Sequence, residues 1–283
     1  MKIAIAGSTG FIGTYISRYL QGLGHEIVPM LREDFTQHNI SFRMLGCDTV
    51  INLTGSPILK RWNTSVRENI IESRIGTTSS IVHTISVINH PPKLLINASA
   101  IGYYSDTQVQ TETNYKQAKG FLPDVIEKWE DEATKGIYSG TRVVIVRLGV
   151  VLGKNGGILK KLRPMFRFGL GSRMGNGKQI ISYIHIHDLA RAIEYFINNE
   201  TTNDVYNLTT PYPVTNMEFY RKLAASCRKK VFAPVPSLLL KLLYGKASSF
   251  ILTGQEVLPE RLTESGFLFQ FPDIDSCLRD LGK

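Results

Sequence analysis

Three glycines near the amino terminus have the spacing of a loop that binds a dinucleotide. Gly7, Gly10 and Gly13 follow an aliphatic run at Lys2–Ala6 and open a helical pattern at Phe11–Gln21. Glycines at this spacing permit a tight turn, a close approach of the backbone to a pyrophosphate and close packing of the helix on the strand. The helix amino terminus supplies free N–H donors and the positive end of its dipole. The sequence therefore predicts cofactor contacts from Gly7, Thr9, Gly10, Phe11, Ile12 and Gly13.

The residues after the second predicted strand distinguish NAD from NADP. An acidic residue at this point would bind the ribose 2′-hydroxyl group of NAD. The expected acidic position holds Leu31, and Arg32 follows it, with Glu33 and Asp34 next in the chain. Because a guanidinium group pairs well with a phosphate, Arg32 favours the 2′-phosphate of NADP(H) over NAD.

The first half of the chain alternates between aliphatic runs and helical patterns. Such runs are typical of parallel strands that are buried on both faces, and the alternation predicts right-handed βαβ crossovers. We therefore predict an α/β fold with a Rossmann-type doubly wound parallel sheet. The predicted strands are Lys2–Ala6, Glu26–Met30 (which contains Pro29), Asp48–Leu53, Lys93–Ala98 and Arg142–Arg147, and the predicted helices are Phe11–Gln21, Ser65–Ile88 and Leu122–Thr134.

The second half of the chain has a different pattern and predicts a smaller, discontinuous substrate domain. Glycine-rich loops dominate from Gly149 to Gly177, and an alternating strand follows at Ile180–Ile186. Asp188 is predicted to cap a helix at Leu189–Phe196. Short helices punctuated by proline follow in the remaining chain. We predict an NADP-binding domain over residues 1–150, to which residues 180–200 return, and a substrate domain over residues 151–179 and 201–283.

The net charge of +9 is concentrated in one segment. Such a patch predicts an anionic partner, although a solvated helix face and loop would give the same composition. No helix-turn-helix or RNA-binding motif accompanies the charges, so a small phosphorylated ligand is favoured over nucleic acid. Arg173 and Lys178 lie in a glycine-rich loop that would present them to this ligand. Between Gly153 and His187 the chain has no acidic residue and seven basic ones, which are Lys154, Lys160, Lys161, Arg163, Arg167, Arg173 and Lys178.

The sequence argues against several other classes of protein. The most apolar run, Leu238–Leu243, contains Lys241 and is far shorter than the ~20 residues of a membrane-spanning helix. The three cysteines form no CxxC pair, which argues against a zinc ribbon or an iron–sulfur cluster and fits a reducing compartment. His185 and His187 share one strand face, but no third ligand accompanies them, so we predict no metal site. We expect a soluble cytoplasmic protein without a membrane or nucleic-acid partner.

Several short motifs, spread over nearly the whole chain, narrow the assignment. They are Gly7-x-x-Gly10-x-x-Gly13, Asn52-Leu53-Thr54-Gly55, Arg61-Trp62, Glu72-Ser73-Arg74, Ser99–Tyr104, Arg147–Gly153, Ile184–Leu189, Pro234–Pro236, Val257–Pro259 and Gly266–Pro272. Together they resemble the atypical, extended short-chain dehydrogenase/reductases, in particular the nucleoside-diphosphate-sugar epimerase-like family with a carboxy-terminal domain of unknown function. The resemblance implies a homodimer that pairs through helices flanking the sheet. It also implies an NADP(H)-binding Rossmann domain with further cofactor contacts from Leu53, Thr54, Gly55 and Ala98.

The catalytic pair of this superfamily is missing from its expected place. The usual chemistry needs a tyrosine and a lysine four residues later, because the lysine lowers the pKa of the phenol and lets it take a proton from a substrate hydroxyl. Tyr115 and Lys119 have this spacing, but they lie in a polar loop, and the expected positions hold Leu122 and Ile126. We therefore interpret the spacing of Tyr115 and Lys119 as fortuitous. The usual helix asparagine is likewise replaced, by Arg74.

Ser99 and Tyr103 remain as candidate catalytic residues. Ser99 lies at the end of a predicted strand, where the superfamily places a serine that orients the substrate, and Tyr103 is the nearest phenol. Ser99 would equally serve as a partner of the backbone, and Tyr103 as a packing residue. The expected substrate-binding residues are Arg74, Arg173, Lys178 and His185.

Two functions fit these observations. The first is an NADP(H)-dependent oxidoreductase or epimerase that acts on an anionic small molecule, either phosphorylated or similar to a sugar nucleotide. The second is a non-catalytic NADP(H) sensor or regulatory module. The missing tyrosine–lysine pair favours the second function, whereas the basic segment favours the first, and we take the enzyme as the leading hypothesis.

Overall fold

We call the six-stranded parallel sheet with its flanking helices the larger unit, and the segments Gly157–Arg167, Asn216–Ser226 and Ile274–Gly282, which pack with their neighbours in a separate apolar cluster, the smaller unit. The computed structural model describes residues 1–36, 39–202 and 204–282. The predicted strands and helices of the first half are confirmed with ends that shift by one or two residues, except that a π-helical turn at Glu72–Gly76 divides the predicted helix Ser65–Ile88 into two α-helices. The elements up to residue 148 are β1 (Lys2–Ala6), α1 (Phe11–Gly22), β2 (Glu26–Met30), α2 (Arg32–Thr36), α3 (Ile40–Met44), β3 (Thr49–Asn52), α4 (Thr64–Ile71), a π-helical turn (Glu72–Gly76), α5 (Thr77–Val87), β4 (Leu94–Ala100), a 3₁₀ turn (Ile101–Tyr103), α6 (Phe121–Thr134), a further 3₁₀ turn (Lys135–Ser139) and β5 (Arg142–Leu148).

The second half of the chain supplies one more strand of this sheet and the smaller unit. No helix among the described residues combines the length and the apolar character that are needed to cross a bilayer. The elements after residue 148 are β6 (Val150–Gly153), α7 (Gly157–Arg167), β7 (Ser172–Met174), β8 (Ile180–Ile181), β9 (Tyr183–His185), α8 (Ile186–Asn198), β10 (Asp204–Leu208), β11 (Val214–Thr215), α9 (Asn216–Ser226), β12 (Phe232–Val235), α10 (Ser237–Tyr244), a 3₁₀ turn (Gly245–Ser248), α11 (Ser249–Leu252), α12 (Glu260–Glu264) and α13 (Ile274–Gly282).

The order of the strands creates a crevice beside β1. The sheet has the order β10-β5-β4-β3-β1-β2, so the chain leaves β1 toward β2 on one side and returns to β3 on the other. Ligands of doubly wound sheets bind at the carboxyl ends of the strands where the order reverses in this way. The predicted Rossmann-type α/β fold is confirmed, and the glycine loop after β1 lies at this point.

The aliphatic strands are buried because helices cover both faces of the sheet. Ile3 and Ile5 of β1 pack in the core that contains residues of α1 and α8, whereas Ala4 packs in the core that contains Ile81 of α5. β2 tolerates Pro29 because it is the edge strand, where a missing N–H leaves no neighbouring strand without a partner.

Helix α7 belongs to the core of the smaller unit. Leu159, Leu162 and Phe166 are buried on this helix and pack in one cluster with residues of α9 and α13. The sequence predicted glycine-rich loops over Gly149–Gly177, and this prediction was wrong for α7. The three apolar residues recur at helical spacing, and their burial outweighs the cost of Pro164 inside the helix.

The boundary between the two units differs from the predicted one. Residues 204–208 form β10 and pair with β5, so they complete the central sheet, although the sequence placed residues 201–283 in the substrate domain. The predicted strand Ile180–Ile186 is divided into β8 and β9, which pair with β11 and β6 respectively. These short pairings join the sheet to the smaller unit.

Asp188 does not cap α8 as predicted. The cap is His185, whose Nδ1 atom accepts the backbone N–H of His187 at 3.1 Å. The buried carboxylate of Asp188 instead accepts the backbone N–H groups of Gln270 and Phe271, both at 2.8 Å. It therefore holds the segment before α13 against the first turn of α8.

Candidate functional site

The glycine loop has the geometry that a bound pyrophosphate requires. Gly7 has a φ of +80°, and a Cβ atom added to it would lie 2.9 Å from the carbonyl oxygen of Leu53. A Cβ atom on Gly13 would lie 2.2 Å from the carbonyl oxygen of Gly7, so glycine is needed for α1 to pack this closely on the loop. The first backbone hydrogen bond of α1 joins the N–H of Thr14 to the carbonyl oxygen of Gly10 at 2.9 Å. The helix does not use the N–H groups of residues 11–13, which can therefore bind an anion.

A buried amide network holds the strand ends beside this loop. Asn52, at the end of β3, donates from Nδ2 to Asn97 Oδ1 at 2.7 Å and to Thr78 Oγ1 at 2.9 Å. Its Oδ1 atom accepts the backbone N–H and the hydroxyl group of Thr54, at 3.2 and 2.6 Å. These bonds fix the backbone at the start of the predicted cofactor segment 53–55, and the buried Ala98 follows on the neighbouring strand β4.

Arg32 lies directly after β2, where the two cofactors are distinguished. It is the first residue of α2 and is exposed. Asp34 is buried, and its carboxylate accepts the backbone N–H of Leu31 at 2.7 Å and Nε of Arg43 at 3.0 Å. The carboxylate of Asp34 is therefore bonded within the fold. It is one of the two acidic groups near Arg32 that could pair with this guanidinium group in place of a phosphate.

Ser99 belongs to a buried hydrogen-bonded cluster. Its hydroxyl group donates to Oε1 of Glu130 on α6. The same carboxylate accepts Nε and Nη2 of Arg147, at 2.8 and 2.6 Å. Arg147 also donates to the hydroxyl oxygen of Tyr104 at 2.8 Å, and that hydroxyl donates to Asn207 Oδ1 at 2.8 Å. Although burial alone would lower the pKa of Arg147, its bonds with Glu130 raise it, so the guanidinium group is charged.

Tyr103 packs among other aromatic rings. Its ring lies 5.7 Å from that of Tyr104 and 5.8 Å from that of Tyr115, and the guanidinium carbon of Arg147 lies 3.9 Å from its centroid. Burial and the neighbouring Tyr115 raise the pKa of Tyr103 to about 12, so this phenol is protonated at neutral pH. Tyr115 and Lys119 lie before α6 and outside any helix, as their polar surroundings predicted.

A cavity of about 580 Å³ lies between the two units, beyond the carboxyl ends of β4 and β5. Leu122 and Ile126, where the sequence analysis expects the superfamily's tyrosine and lysine, both line it. Most of the lining is aliphatic or aromatic, with Ile101 contributed by the larger unit and Ile158 and Phe219 by the smaller one. Its formally charged residues are Arg74 and Lys161, and no acidic residue among those described lines it.

Arg74 reaches the cavity from the π-helical turn after α4. Its guanidinium group donates to the carbonyl oxygens of Ile70 at 3.3 Å and Ser56 at 3.1 Å, and lies 5.3 Å from the centroid of the Trp129 ring. It has no carboxylate partner among the described residues, and burial lowers its pKa to about 10, which leaves it charged at neutral pH. A Cβ atom on Gly55 would lie 3.0 Å from Nη2 of Arg74, so this side chain also touches the predicted cofactor segment.

The other predicted substrate-binding residues lie outside the lining of this cavity. Arg173 donates to the carbonyl oxygen of Asn176 at 2.6 Å within its own loop, and Lys178 is exposed. His185 is buried, its Nε2 atom lies 3.4 Å from Oδ2 of Asp280, and burial lowers its pKa to about 4. The structure thus brings Arg74 to the cavity and places these three side chains elsewhere.

Two residues that line the cavity were not selected by the sequence analysis. The sequence analysis counted Lys161 in the basic segment but could not distinguish it from the other basic residues there, because only the packing of α7 shows that it lines the cavity. Its ammonium group has no ion pair with a described residue. Tyr220 lies on α9, and no motif marks it. Burial raises the pKa of Tyr220, and its hydroxyl group makes no hydrogen bond with a described residue.

Comparison with protein families gives two matches along the chain. The model of the NAD dependent epimerase/dehydratase family matches residues 3–209, and that of a domain of unknown function, DUF1731, matches residues 235–281. The mouse epimerase family protein SDR39U1 is 35% identical over 292 residues, which cover 99% of each chain. The epimerase family protein SSP1921 of Staphylococcus saprophyticus is 35% identical over 291 residues, which cover 98% of each chain.

Solved structures with the same fold cover the whole chain. The crystal structure of human epimerase family protein SDR39U1 with NADPH has a TM-score of 0.91 at 29% identity and covers 100% of this chain and 99% of that one. The nucleoside-diphosphate sugar epimerase of Corynebacterium glutamicum has a TM-score of 0.81 at 26% identity, and the match spans 100% of this chain and 58% of that one. The UDP-N-acetylglucosamine 4-epimerase of Bacillus cereus has a TM-score of 0.79 at 16% identity, a likeness of fold alone.

Proposed function

Because the chain belongs to the NAD dependent epimerase/dehydratase family, we propose that it binds NADPH at the glycine loop and reduces a carbonyl group of an anionic small molecule in the cavity. The observation that carries this proposal is the chemistry of the cavity walls. Arg74 and Lys161 are cations without acidic partners among the described residues, and Arg74 touches the predicted cofactor segment at Gly55. An anionic substrate held there would therefore lie next to the cofactor.

Several features support NADPH as the cofactor. The N–H groups at the start of α1 would bind the pyrophosphate, and Arg32 would bind the 2′-phosphate. The human relative whose structure is described with NADPH shares the fold over this whole chain. When bound, NADPH supplies the hydride for the reduction of a carbonyl carbon.

The proton for the carbonyl oxygen must come from another group, and Tyr220 is the phenol that lines the cavity. Because burial raises its pKa, Tyr220 is protonated at neutral pH, so a proton is available at the cavity wall. The opposite task, removal of a proton from a substrate hydroxyl, needs a base, and the side chains of Leu122 and Ile126 cannot act as one. This difference favours reduction over epimerase chemistry, which begins with oxidation of a hydroxyl group.

A second candidate function is that of a non-catalytic NADPH sensor. The resemblance predicts the superfamily's catalytic pair at Leu122 and Ile126, and apolar side chains at these positions favour the sensor. A sensor would bind NADPH and its ligand without consuming either.

Separate measurements of binding and turnover test the proposal. We expect the purified protein to bind NADPH more tightly than NADH in a titration, and to consume NADPH when 2-oxo and 3-oxo acids are supplied. If neither dinucleotide binds, the proposal fails. Tight binding of NADPH without consumption across the acids would overturn the reduction and favour the sensor.

The role of Tyr220 has its own test. Tyr220→Phe should lower the rate of NADPH consumption by roughly 10²–10⁴-fold, the usual contribution of a general acid, without changing the Kd for NADPH. The matched control is Tyr115→Phe, which removes an exposed phenol outside the cavity lining and should leave the rate unchanged. A collapse of the rate in Tyr115→Phe would show that the tyrosine–lysine spacing is functional after all.

A further inference from the structure

We infer that the cavity selects a largely apolar substrate with one anionic group, such as an oxo acid with an aliphatic or aromatic body, in preference to a sugar nucleotide. The inference rests on the proposed function for the identity of the site. It adds the class of substrate that the cavity accepts, which follows from the residues that line the cavity.

Apolar side chains reach the cavity from most of the elements around it. Ile101 follows β4, Ile126 lies on α6, Ile158 on α7, Phe219 on α9 and Phe250 on α11. A sugar hydroxyl placed against these walls would give up its hydrogen bonds to water without replacement, at a cost of about 1–3 kcal/mol for each unsatisfied group. An aliphatic or aromatic body would instead gain from the burial of its surface.

Two polar side chains in the lining, Ser182 and Gln179, already donate their hydrogen bonds to the protein itself. Ser182 donates to the carbonyl oxygen of Gln255 at 2.8 Å and accepts a backbone N–H at 2.9 Å. Gln179 donates its amide N–H groups to the carbonyl oxygens of Met174 at 3.0 Å and Ile251 at 2.9 Å. These donors join the segments around the cavity, so they do not serve the hydroxyl groups of a sugar as well, whereas the buried Oε1 atom of Gln179 has no hydrogen-bond partner among the described residues.

The lining contains two cations that can bind an anionic group. Arg74 comes from the larger unit and Lys161 from the smaller one, and neither has an acidic partner among the described residues. Ile158 and Lys161 are three residues apart on α7 and therefore lie on the same face of the helix. One helix thus presents both an apolar contact and a cation to the same ligand.

The test compares three kinds of ligand on the full-length protein saturated with NADP⁺, which permits binding without turnover. The probes are the oxo acids 2-oxodecanoate and benzoylformate, their methyl esters, and UDP-glucose. By isothermal titration, we expect at least one oxo acid to bind, its ester to bind roughly tenfold more weakly because the charge is lost, and UDP-glucose to bind more weakly than the acid.

Variants on α7 separate the charge from the apolar wall. Lys161→Met should reduce the preference for acid over ester without weakening the ester, and the remaining preference should come from Arg74. Lys160→Met is the matched control, because it removes the adjacent exposed charge outside the lining and should keep the preference. Ile158→Ser should weaken acid and ester by the same factor.

Several outcomes would overturn the inference. They are tighter binding of UDP-glucose than of both acids, equal binding of acid and ester, and failure of both acids to bind to protein saturated with NADP⁺. Binding of an acid without NADPH consumption in the turnover assay would support this ligand class and overturn the proposed reduction alone. If NADP⁺ itself fails to bind, the proposed function fails, and titration of the cofactor-free protein with the same acids and esters decides the ligand class.

Discussion

Single residues shape the cofactor site through the side chains that they lack as well as through those they carry. A Cβ atom on Gly13 would meet the carbonyl oxygen of Gly7 at 2.2 Å, whereas a Cβ atom on Gly22, at the end of the same helix, would meet nothing within 4 Å. The glycine at 13 is therefore required by the close approach of α1 to the loop, and the one at 22 is not. Arg32 contributes through the side chain that it carries, an exposed positive charge at the start of α2.

Arg32→Ala should weaken the binding of NADPH and leave the binding of NADH nearly unchanged. A hydrogen bond between a guanidinium group and a phosphate contributes about 1.5–3 kcal/mol, so the Kd for NADPH should rise roughly ten- to a hundredfold. Titration with both dinucleotides measures the effect, and Arg18→Ala, at an exposed site on α1, is the control. Equal losses of affinity for NADPH and NADH would contradict the assignment of Arg32 to the 2′-phosphate.

His185 should make the free energy of unfolding decrease at acidic pH. Burial lowers its pKa from 6.5 to about 4 in the folded protein. Between these values the unfolded chain binds a proton that the folded protein does not, so the stability present above pH 6.5 falls by about 3 kcal/mol as the pH approaches 4. Urea unfolding of His185→Asn over this range should lack this decrease, because asparagine keeps an acceptor for the helix end and does not titrate.

The exposed His83 provides the control for that measurement, since His83→Asn should keep the pH dependence of the original protein. If His185→Asn also kept it, the decrease would have to come from other groups.

The glycines and Ser99 differ in how well the sequence predicts their roles. Glycine spacing encodes a local backbone approach, so it predicts the loop directly. The hydroxyl group of Ser99 bonds to Glu130, which lies 31 residues further along the chain on α6. Which face of α6 meets β4 depends on how the whole helix packs on the sheet. The sequence around Ser99 therefore does not predict its bond with Glu130.

Among the elements, α6 is tied to β5 by the buried pair of Glu130 and Arg147. Glu130→Gln should lower the free energy of unfolding by about 3–5 kcal/mol, because it leaves the buried guanidinium group of Arg147 without a charged partner. Urea unfolding measures this loss. Glu132→Gln on the same helix is the control; its partner Lys135 is exposed, and the change should stay within about 1 kcal/mol.

The double variant Glu130→Met with Arg147→Met distinguishes this explanation from a general sensitivity of α6. Since no buried charge remains, it should recover much of the stability that Glu130→Gln loses. A double variant that is less stable than the single one would show that the pair stabilises the fold by more than the pairing of two buried charges.

The elements of the first half could be predicted because strands buried on both faces are continuous aliphatic runs. β2 is the exception to this pattern: it contains Glu26 and Pro29 and is only partly buried, and as an edge strand it tolerates the missing N–H. The sequence did not predict α7, because glycines flank this helix and Pro164 lies within it. Its apolar residues find their partners only on α9 and α13, which follow much later in the chain.

In the whole molecule, the candidate site forms where the two units meet. The sequence predicted two units and an anionic ligand, but Lys161 and Tyr220 join Leu122 at one cavity only because the smaller unit packs over the carboxyl ends of β4 and β5. The return of β10 to the sheet likewise depends on pairing with β5, which no local pattern specifies. The roles of residues that depend on long-range packing of this kind could therefore not be predicted from the sequence, whereas those that depend on local spacing could.

A ligand in this cavity should protect both units from hydrogen exchange at once. We expect NADP⁺ alone to slow amide exchange in residues 7–13 and 53–55, because those segments surround the proposed cofactor site. Addition of benzoylformate should then slow exchange on α7 and at the carboxyl end of β4, and leave the edge strand β2 unchanged. In Lys161→Met, the protection by NADP⁺ should persist while the added protection on α7 disappears. Protection by benzoylformate confined to the larger unit would mean that the ligand does not reach α7, and the substrate would then have to bind outside the cavity between the units.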